Sequence, residues 1–267
     1  MAYKIGIIGG TGLYNFELFE DTEDLKMLTA YGDIEMKKGI ICGNEVYFVA
    51  RHGRGHSVPP HRINYRAIIL GLQEVGVELV LATAASGSLR EELKPGDLVL
   101  LDQFLDFTKS RVQTFFEGGE KGVLHIDLTE PYCKELRLTL QQSAKKLNIP
   151  LHQQGTYVCT EGPRFETSAE IKMFQTLGGD LVGMTGVPEV ILAREANLCY
   201  AGIGLVTNYA AGITGEPLTH QEVLDVMAEN TKKIQKLLLE FLTLPYTKRA
   251  CNCAAASDEL GSLKGGT

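Results

Sequence analysis

The sequence predicts a single-domain α/β fold in which a mixed central β-sheet is flanked by helices. The length of 267 residues fits one large domain. Runs such as VELVLATAA and DLVLLDQFL are almost unbroken in apolar and small residues, which is typical of strands covered on both faces. Segments with helical spacing of apolar residues fall between these runs, and this alternation favours an α/β architecture around one sheet.

Seven segments are predicted as strands because they are rich in apolar or β-branched residues and are bounded by turn residues. They cover residues 4–9, 45–51, 78–84, 97–105, 156–160, 181–184 and 199–208.

Helices are predicted between these strands by apolar periodicity and by capping signals. Residues 64–74 and 130–147 have apolar positions at helical spacing. Thr167-Ser-Ala-Glu170 and Thr219-His-Gln-Glu222 are capping boxes that each open a helix. Pro188 fits the first turn of the helix PEVILAREA. The helix after Thr219 continues with a broad apolar stripe, as expected for an amphipathic helix on the core.

Neither an internal repeat nor a linker interrupts the chain before about residue 244. We therefore predict a domain over residues 1–244 and a loosely ordered C-terminal tail, rich in small residues, over residues 245–267.

Composition and charge narrow the functional classes. The net charge of −7 lacks the basic footprint of a nucleic-acid-binding protein. No apolar run reaches the roughly 18 residues that a membrane span needs. The N-terminal segment enters a strand without a signal-peptide pattern, so a cytoplasmic protein is the expectation.

The six cysteines are widely spaced. Cys42, Cys133, Cys159 and Cys199 lie in apolar or mixed segments, where a buried thiol is the ordinary interpretation. Cys251 and Cys253 lie in the polar tail, and their one-residue spacing is too tight for an ordinary zinc half-site. They form either a redox pair or two exposed, idle thiols. Since the six histidines show no zinc-type spacing either, no metal is expected.

The run KIGIIGGTGL over residues 4–13 is a strand that leads into a glycine-rich turn, a type of turn that binds phosphate groups through backbone N–H. Its glycines do not follow the dinucleotide pattern, and no Gly-Lys-Ser/Thr follows as in a P-loop. A small free anion beside Thr11 and a tight turn without any ligand both remain as interpretations.

Three other segments favour the anion. ARHGRGH places Arg51 and His52 at a strand end, where α/β proteins bind ligands and where arginine suits phosphate oxygens. TAASGS ends the most apolar strand with small residues, which lets backbone N–H groups touch a ligand. Met184 and Thr185 end a further strand and add a hydroxyl. Together these segments predict an orthophosphate pocket, provided that the fold brings them together.

Six segments, taken in order, resemble those of one known family. They are KIGIIGGTGL, ARHGRGH, TAASGSL, EGPRFET, MTGVPEV and TNYAAG. Over about residues 4–243 the chain is similar to the trimeric purine nucleoside phosphorylase and methylthioadenosine phosphorylase family. The resemblance implies a purine nucleoside phosphorylase-like fold and phosphorolysis, in which a purine nucleoside and orthophosphate give a free purine and ribose 1-phosphate. Orthophosphate is then a co-substrate, and no metal or organic cofactor is implied.

The resemblance also implies roles for individual residues. Met184 would meet the ribose and Phe165 the purine face. The methylthioadenosine branch has a hydroxyl residue where this chain has alanine 84, so only a backbone contact is implied there. The implied phosphate contacts are Thr11, Arg51, His52, Ala84, Ala85 and Thr185, with both alanines acting through the main chain.

The purine specificity follows from hydrogen-bond chemistry. A 6-oxopurine presents an N1–H donor and an O6 acceptor, whereas adenine presents an N1 acceptor and an amino donor. Adenine-specific members of the family have aspartates on both sides of the residue that matches Tyr209, and here those positions are Asn208 and Ala210. Asn208 could donate to O6 and accept from N7–H. Glu166 could accept from N1–H, although a carboxylate also suits the helix start that follows it.

His220 is the third residue predicted to act in catalysis. It lies at the start of the helix that Thr219 caps, where it could bond a 5′-hydroxyl. The methylthio branch has an apolar residue at that point, and a solvated histidine is the alternative. Asn208, Glu166 and His220 together predict a phosphorylase of inosine and guanosine that serves purine salvage.

Several alternatives stay open. Methylthioadenosine or methylthioinosine could be the substrate, and a non-catalytic purine-binding protein would keep the base-binding residues but not Arg51, His52 and Thr185. A dinucleotide-dependent oxidoreductase would need an acidic residue after a second strand, but the acidic residues near position 20 follow no predicted strand. The family is implied to form trimers, or hexamers from two trimers, with His125 reaching a neighbour's site.

Overall fold

A computed structural model describes residues 3–10, 20–214, 220–244 and 250–258. In chain order the strands are β1 (Lys4–Gly9), β2 (Glu20–Thr29), β3 (Gly32–Ile41), β4 (Asn44–Ala50), β5 (Leu79–Ser88), β6 (Leu98–Leu100), β7 (Gln103–Phe107), β8 (Leu151–His152), β9 (Thr156–Thr160), β10 (Leu181–Gly183) and β11 (Cys199–Tyr209). The α-helices are α1 (Tyr65–Glu74), α2 (Lys134–Leu147), α3 (Ser168–Thr176), α4 (Gly186–Glu195) and α5 (His220–Thr243).

All the strands join one mixed sheet, which confirms the predicted fold class. The main path runs β2-β3-β4-β1-β5-β10-β9-β7, and β11 pairs with β5 and β6 off this path. The centre is parallel, since β1 lies between β4 and β5 in parallel register and β11 is parallel to β5. The β2–β3–β4 meander is antiparallel.

The sheet divides along β5, and this division creates the space for a ligand. β1 pairs with β5 only as far as Ala82, and β10 takes over the same edge only at Gly87. Neither strand pairs with the intervening stretch of β5, residues 83–86. An open crevice where neighbouring strands part is where α/β sheets bind ligands.

Apolar side chains cover both faces of the sheet, as the unbroken strand runs predict. Along β5, Val80 and Ala82 belong to one buried cluster with residues of α1 and α4, whereas Leu79 and Leu81 belong to a second cluster with residues of α2 and α5. Alternation of side chains along a strand explains this division.

The hairpin formed by β2 and β3 was not predicted from the sequence. β2, with the sequence EDTEDLKMLT, is dominated by charged residues, because much of it is exposed to solvent. Only β3 shows the alternation of a half-buried strand, with Ile34 and Met36 directed into the core. Among the described residues, this hairpin is the next element after β1.

Other element boundaries differ from the prediction. The single strand predicted over residues 97–105 is two strands, because the chain leaves β11 after β6 and joins β9 as β7. The helix predicted over residues 130–147 begins only at Lys134, after Pro131. The capping box of α3 is present as predicted. The one predicted at residues 219–222 lies outside the part of the chain whose side chains are described.

The expectation of a loose tail is wrong for residues 250–258. Asn252–Ala255 forms a 3₁₀ turn, and Cys253 and Ala256 are buried against the body. Two hydrogen bonds between Asn197 and Ser257 fix this segment, with distances of 2.7 and 2.9 Å. The domain boundary at residue 244 stays a prediction. In the described part of the chain, none of the helices combines the length and the apolar character that a membrane crossing requires.

Candidate active site

A cavity of about 470 Å³ opens beside residues 83–86 of β5, the stretch that neither β1 nor β10 pairs with. Its walls come from the strand ends of β1, β4, β5, β10 and β11, from the segment before α3, and from α5. The segments that the sequence singled out therefore meet in one place. The residues that line it are Gly10, Arg51, His52, His56, Ser57, Pro59, Pro60, Ala85, Ser86, Gly87, Pro163, Phe165, Glu166, Val182, Gly183, Met184, Thr185, Thr207, Asn208, Ala210 and Val223.

Arg51 is held rigidly at the buried end of β4. Its Nε and Nη2 donate to the two carboxylate oxygens of Glu189 at 2.6 and 2.8 Å, and its Nη1 donates to the carbonyl of Thr83 at 2.8 Å. Burial disfavours the charge, but the Glu189 carboxylate outweighs burial and raises the pKa of Arg51. Two of the five N–H groups of the guanidinium stay without a partner among the described residues and are available to an anion.

His52 lies next to Arg51 and is almost fully buried. Its Nδ1 lies 2.9 Å from the carbonyl oxygen of Val58, which only accepts, so Nδ1 carries the proton. Burial lowers the pKa of His52 to about 4, and the ring is therefore neutral at pH 7. Its Nε2 is then a bare acceptor. A protonated oxygen of hydrogen phosphate matches this atom, whereas a bare phosphate oxygen does not.

Thr185 and Gly10 complete this end of the cavity. Thr185 is the N-cap residue of α4, yet its side chain makes no capping bond, so its hydroxyl is not engaged there. A helix N-terminus also favours an anion through its backbone dipoles. The backbone N–H of Gly10 donates to the Thr83 hydroxyl at 3.1 Å. A side chain at Gly10 would come within 2.6 Å of the Thr83 carbonyl, so the close approach of β1 and β5 requires glycine.

Glu166 lines the same cavity and lies just before α3. The Thr160 hydroxyl donates to its Oε1 at 2.6 Å, which leaves Oε2 for a ligand. Burial raises the pKa of Glu166, although the Thr160 bond opposes this shift. The neighbouring Phe165 also lines the cavity and stays 39% exposed, so its ring offers an apolar face.

Asn208 has its amide orientation fixed by two neighbours. The Thr207 hydroxyl donates to Oδ1 at 2.8 Å, and Nδ2 donates to the carbonyl of Tyr209 at 2.9 Å. This leaves one N–H donor and one acceptor position on the side chain. Such an amide can meet a purine that presents both an acceptor and a donor.

Most of the sequence-predicted site residues line the cavity, and two of the described ones, Ala84 and Tyr209, do not. Thr11 lies outside the described residues, and His220 is the first residue of α5 with its side chain outside that description. Ala84 is buried next to the lining residue Ala85, and the Tyr209 hydroxyl donates to the carbonyl of Glu91. His125, expected at a neighbour's site, is exposed in this chain.

The residues that hold the site residues in place were not predicted from the sequence. Glu189, which pairs with Arg51, also accepts a 2.7 Å hydrogen bond from the Tyr200 hydroxyl. Thr160 orients Glu166, and Thr207 orients Asn208. The one available signal was Glu189 itself, a carboxylate inside the apolar helical segment PEVILAREA, where a buried charge requires a partner.

Comparison with known proteins places this chain. The model of the phosphorylase superfamily matches residues 4–243. The chain belongs to this superfamily. The "Probable 6-oxopurine nucleoside phosphorylase" of Dictyoglomus turgidum is 56% identical, over 96% of this chain and 97% of the relative. The "6-oxopurine nucleoside phosphorylase" of Pyrococcus furiosus is 51% identical, over 99% of each chain.

Solved structures of this phosphorylase's relatives agree with its fold. The methylthioadenosine phosphorylase from Schistosoma mansoni in complex with adenine has a TM-score of 0.90 and 34% identity, over 96% of each chain. Relatives named S-methyl-5′-thioadenosine phosphorylase reach 50% sequence identity to this chain. Relatives with either name, 6-oxopurine nucleoside phosphorylase or S-methyl-5′-thioadenosine phosphorylase, are about 50% identical to this chain. Overall identity therefore does not distinguish the two substrates, and the residues that face the base and the sugar must be compared instead.

Proposed function

We propose that this phosphorylase cleaves 6-oxopurine nucleosides, inosine and guanosine, with orthophosphate to give the free base and ribose 1-phosphate. It would act as a pentosyltransferase in cytoplasmic purine salvage, with phosphate as co-substrate and without a cofactor. The observation that carries the proposal is the lining of one cavity, which holds Glu166 and Asn208 together with Arg51, His52 and Thr185.

The base is recognised by complementary hydrogen bonds. The free N–H of Asn208 donates to O6, and its Oδ1 accepts from N7–H once the leaving base is protonated there. Oε2 of Glu166 accepts from N1–H. In the same pose, adenine would place its N1 lone pair against the Glu166 carboxylate and its amino group against the free N–H of Asn208. A site whose buried polar groups lose their partners rejects the wrong analogue by roughly 10⁴-fold or more.

Phosphate lies at the other end of the cavity. Arg51 supplies its two unengaged N–H groups, Thr185 its hydroxyl, and Ala85 and Ala84 their backbone. His52 accepts a hydrogen bond from the protonated oxygen of hydrogen phosphate. Because Glu189 and the Thr83 carbonyl already fix the guanidinium, phosphate binds to a preorganised cation. Thr11 would add a hydroxyl from the glycine-rich turn.

Cleavage proceeds through stretching of the C1′–N9 bond, with positive charge on the ribose as in glycoside hydrolysis. The leaving purine is protonated at N7, where the N–H donates to Oδ1 of Asn208, and the free N–H of Asn208 stabilises the negative charge on O6. This proton balances the one that hydrogen phosphate loses when it becomes the ester of ribose 1-phosphate. The phosphate anion stabilises the ribosyl cation and then attacks C1′. Met184 packs on the ribose and Phe165 on the base, which positions the reacting atoms.

Methylthioinosine is a second candidate substrate, favoured by one observation. Val223 lines the cavity one turn after His220, so an apolar side chain borders the part of the site assigned to the sugar. A methylthio group would suit this wall, whereas His220 would suit a 5′-hydroxyl. The oxopurine ring is common to both candidates, so Glu166 and Asn208 keep their roles in either case.

A phosphate-dependent assay with five nucleosides tests the proposal. We expect efficient cleavage of inosine and guanosine and no turnover without phosphate. Methylthioinosine measures the sugar preference. Adenosine and methylthioadenosine should react at least roughly 10³-fold less efficiently, in line with the cost of unpaired polar groups. Efficient methylthioadenosine cleavage would overturn the assigned base specificity, and base binding without any turnover would indicate a non-catalytic purine-binding protein.

A further inference from the structure

Four of the six cysteines come together on the side of the sheet that faces α2 and α5. Cys133, Cys199, Cys251 and Cys253 have their Sγ atoms all within 4.8 Å of one another, and the Cys199–Cys251 pair is 3.3 Å apart. Three of them are buried, and Cys251 is half-buried. The expectation of two exposed, idle thiols in the tail is therefore wrong.

We propose that this four-cysteine cluster binds one divalent transition-metal ion, zinc, as a tetrathiolate. Tetrahedral Zn–S bonds of about 2.3 Å place the sulfur atoms about 3.8 Å apart, which matches four thiols that are mutually within 4.8 Å. The one-residue spacing of Cys251 and Cys253 weakened this interpretation when the pair was considered alone. The fold removes that objection by adding two ligands from distant parts of the chain.

The ligands are held by the surrounding backbone. Cys133 is the residue before α2, and its N–H donates to the carbonyl of Tyr200 at 2.8 Å, next to Cys199 in β11. Cys251 and Cys253 lie at the 3₁₀ turn, which the bonds between Asn197 and Ser257 attach to the chain just before β11. A metal site on such preordered segments requires little further ordering of the chain.

Arg194 partly balances the negative charge that the four-cysteine cluster would carry with zinc bound. Binding of one Zn²⁺ releases four thiol protons and leaves four thiolates, so the site carries a net charge of −2. Arg194 donates from Nη1 to Sγ of Cys253 at 3.3 Å. N–H donors to sulfur are a common second layer around thiolate-bound metals.

An ion has a path to the cluster. A second cavity of about 460 Å³ reaches Cys133, Cys251 and Cys253 and is lined by Asp127, Glu130 and Arg194 among others. It has no lining residue in common with the nucleoside cavity. The site is therefore structural in character, since it joins the C-terminal segment to β11 and α2.

Metal content of the purified protein is the first test. The chain should be prepared under reducing, anaerobic conditions without chelators or an affinity tag, and its metals measured by mass spectrometry. We expect about one zinc per chain. The Cys251→Ser/Cys253→Ser double variant should contain at least tenfold less zinc per chain than the wild type. Cys42→Ser is the matched control because that thiol is exposed and outside the cluster, and it should keep its zinc.

Cobalt substitution tests the coordination without depending on the variants. Co²⁺ added to the metal-free wild type should give the intense visible bands and sulfur charge-transfer absorption of a tetrahedral thiolate site, even if the double variant fails to fold. Thiol titration of the denatured wild type should find six reactive thiols. Fewer thiols, with cysteines joined as disulfides, would overturn the proposal. So would six thiols without metal and without cobalt bands, or zinc retained by the double variant.

Discussion

The buried charges of Arg51 and Glu189 neutralise each other beside the cavity. Arg51 and Glu189 have side chains only 1% and 0% exposed, and two hydrogen bonds join them. The Tyr200 hydroxyl donates a further hydrogen bond to the Glu189 carboxylate. Such a pair stabilises little compared with apolar residues, but losing one partner leaves an uncompensated charge. We infer that this network exists to orient Arg51 toward phosphate.

Glu189→Gln should therefore damage both stability and phosphate binding. The amide keeps the size of the carboxylate but leaves the Arg51 charge unpaired, at a cost of about 3 kcal/mol in the free energy of unfolding. The phosphate KM should rise at least roughly tenfold because the guanidinium loses its fixed orientation. Urea unfolding and steady-state kinetics measure the two effects.

Tyr200→Phe is the milder control, since it removes one hydrogen bond and no charge, about 1 kcal/mol. An unchanged phosphate KM in a folded Glu189→Gln variant would contradict the positioning role.

Asn208→Asp should change which purine the site accepts. A carboxylate would accept from the amino group of adenine but could not donate to O6. We expect the ratio of adenosine to inosine cleavage, as kcat/KM, to rise by roughly 10²-fold or more. The variant also loses the donor to the Tyr209 carbonyl, which should cost about 1–3 kcal/mol of stability. Unchanged selectivity would mean that Asn208 does not face the ring.

His52 should make stability depend on pH. Its pKa is about 4 in the folded chain, against 6.5 in the unfolded chain. The unfolded state binds the extra proton as the pH falls, so the stabilisation is complete above about pH 6.5 and is lost toward pH 4. The contribution of His52 should fall by about 2 kcal/mol between pH 7.5 and pH 5.

The His52→Gln variant is the control, because glutamine does not titrate and the variant's free energy of unfolding lacks the pH dependence that His52 contributes. Denaturant titrations of both proteins across the pH range isolate the effect of His52. Parallel pH profiles would show that His52 is not neutral in the folded chain.

At the scale of elements, short segments bring the specificity residues to the cavity. Glu166 and Phe165 come directly before the first turn of α3, whose capping box is complete. The Thr167 hydroxyl accepts from the Glu170 N–H at 3.2 Å, and the Glu170 carboxylate accepts from the Thr167 N–H at 2.7 Å. Arg164 adds two bonds to the same carboxylate. The start of α3 therefore fixes the chain that carries Glu166.

Thr167→Ala tests this link between a helix cap and the site. Loss of the cap should lower the free energy of unfolding by about 1 kcal/mol. Looser placement of Glu166 should raise the KM for inosine severalfold, while the phosphate KM stays unchanged. Thr167→Ser keeps the hydroxyl and should restore both values. A loss of stability without any change in the inosine KM would contradict the prediction that the α3 cap positions Glu166.

At the scale of the whole molecule, the parting of β1 and β10 along β5 creates the cavity at the strand ends. Apolar clusters fill both faces of the sheet, whereas this crevice stays open. The four-cysteine cluster lies in a different cavity, where the C-terminal segment meets β11.

We also expect the chain to assemble. His125 is exposed in the isolated chain and is proposed to reach a neighbour's site. Light scattering should give a mass of about 88 kDa for a trimer of the 29.2 kDa chain, or twice that for a hexamer. His125→Ala should then lower activity without changing this mass. A monomer with full activity would contradict the assembly.

The sequence by itself determined the fold class, the main parallel strands, four helix starts and the order of the site segments. These features depend on local periodicity, turn chemistry and capping, all of which act within a few residues. It also predicted that Glu166 and Asn208 belong to one site, and both line the same cavity. It missed β2, because an exposed charged strand has no local signal of its own.

Only the tertiary structure decided the partners. Glu189 lies 138 positions from Arg51, and Cys251 lies 118 positions after Cys133, so no spacing rule connects them. The neutral state of His52 likewise depends on burial by distant segments. Contacts between remote segments form only when the sheet closes, because the apolar packing of the whole core determines which polar side chains meet.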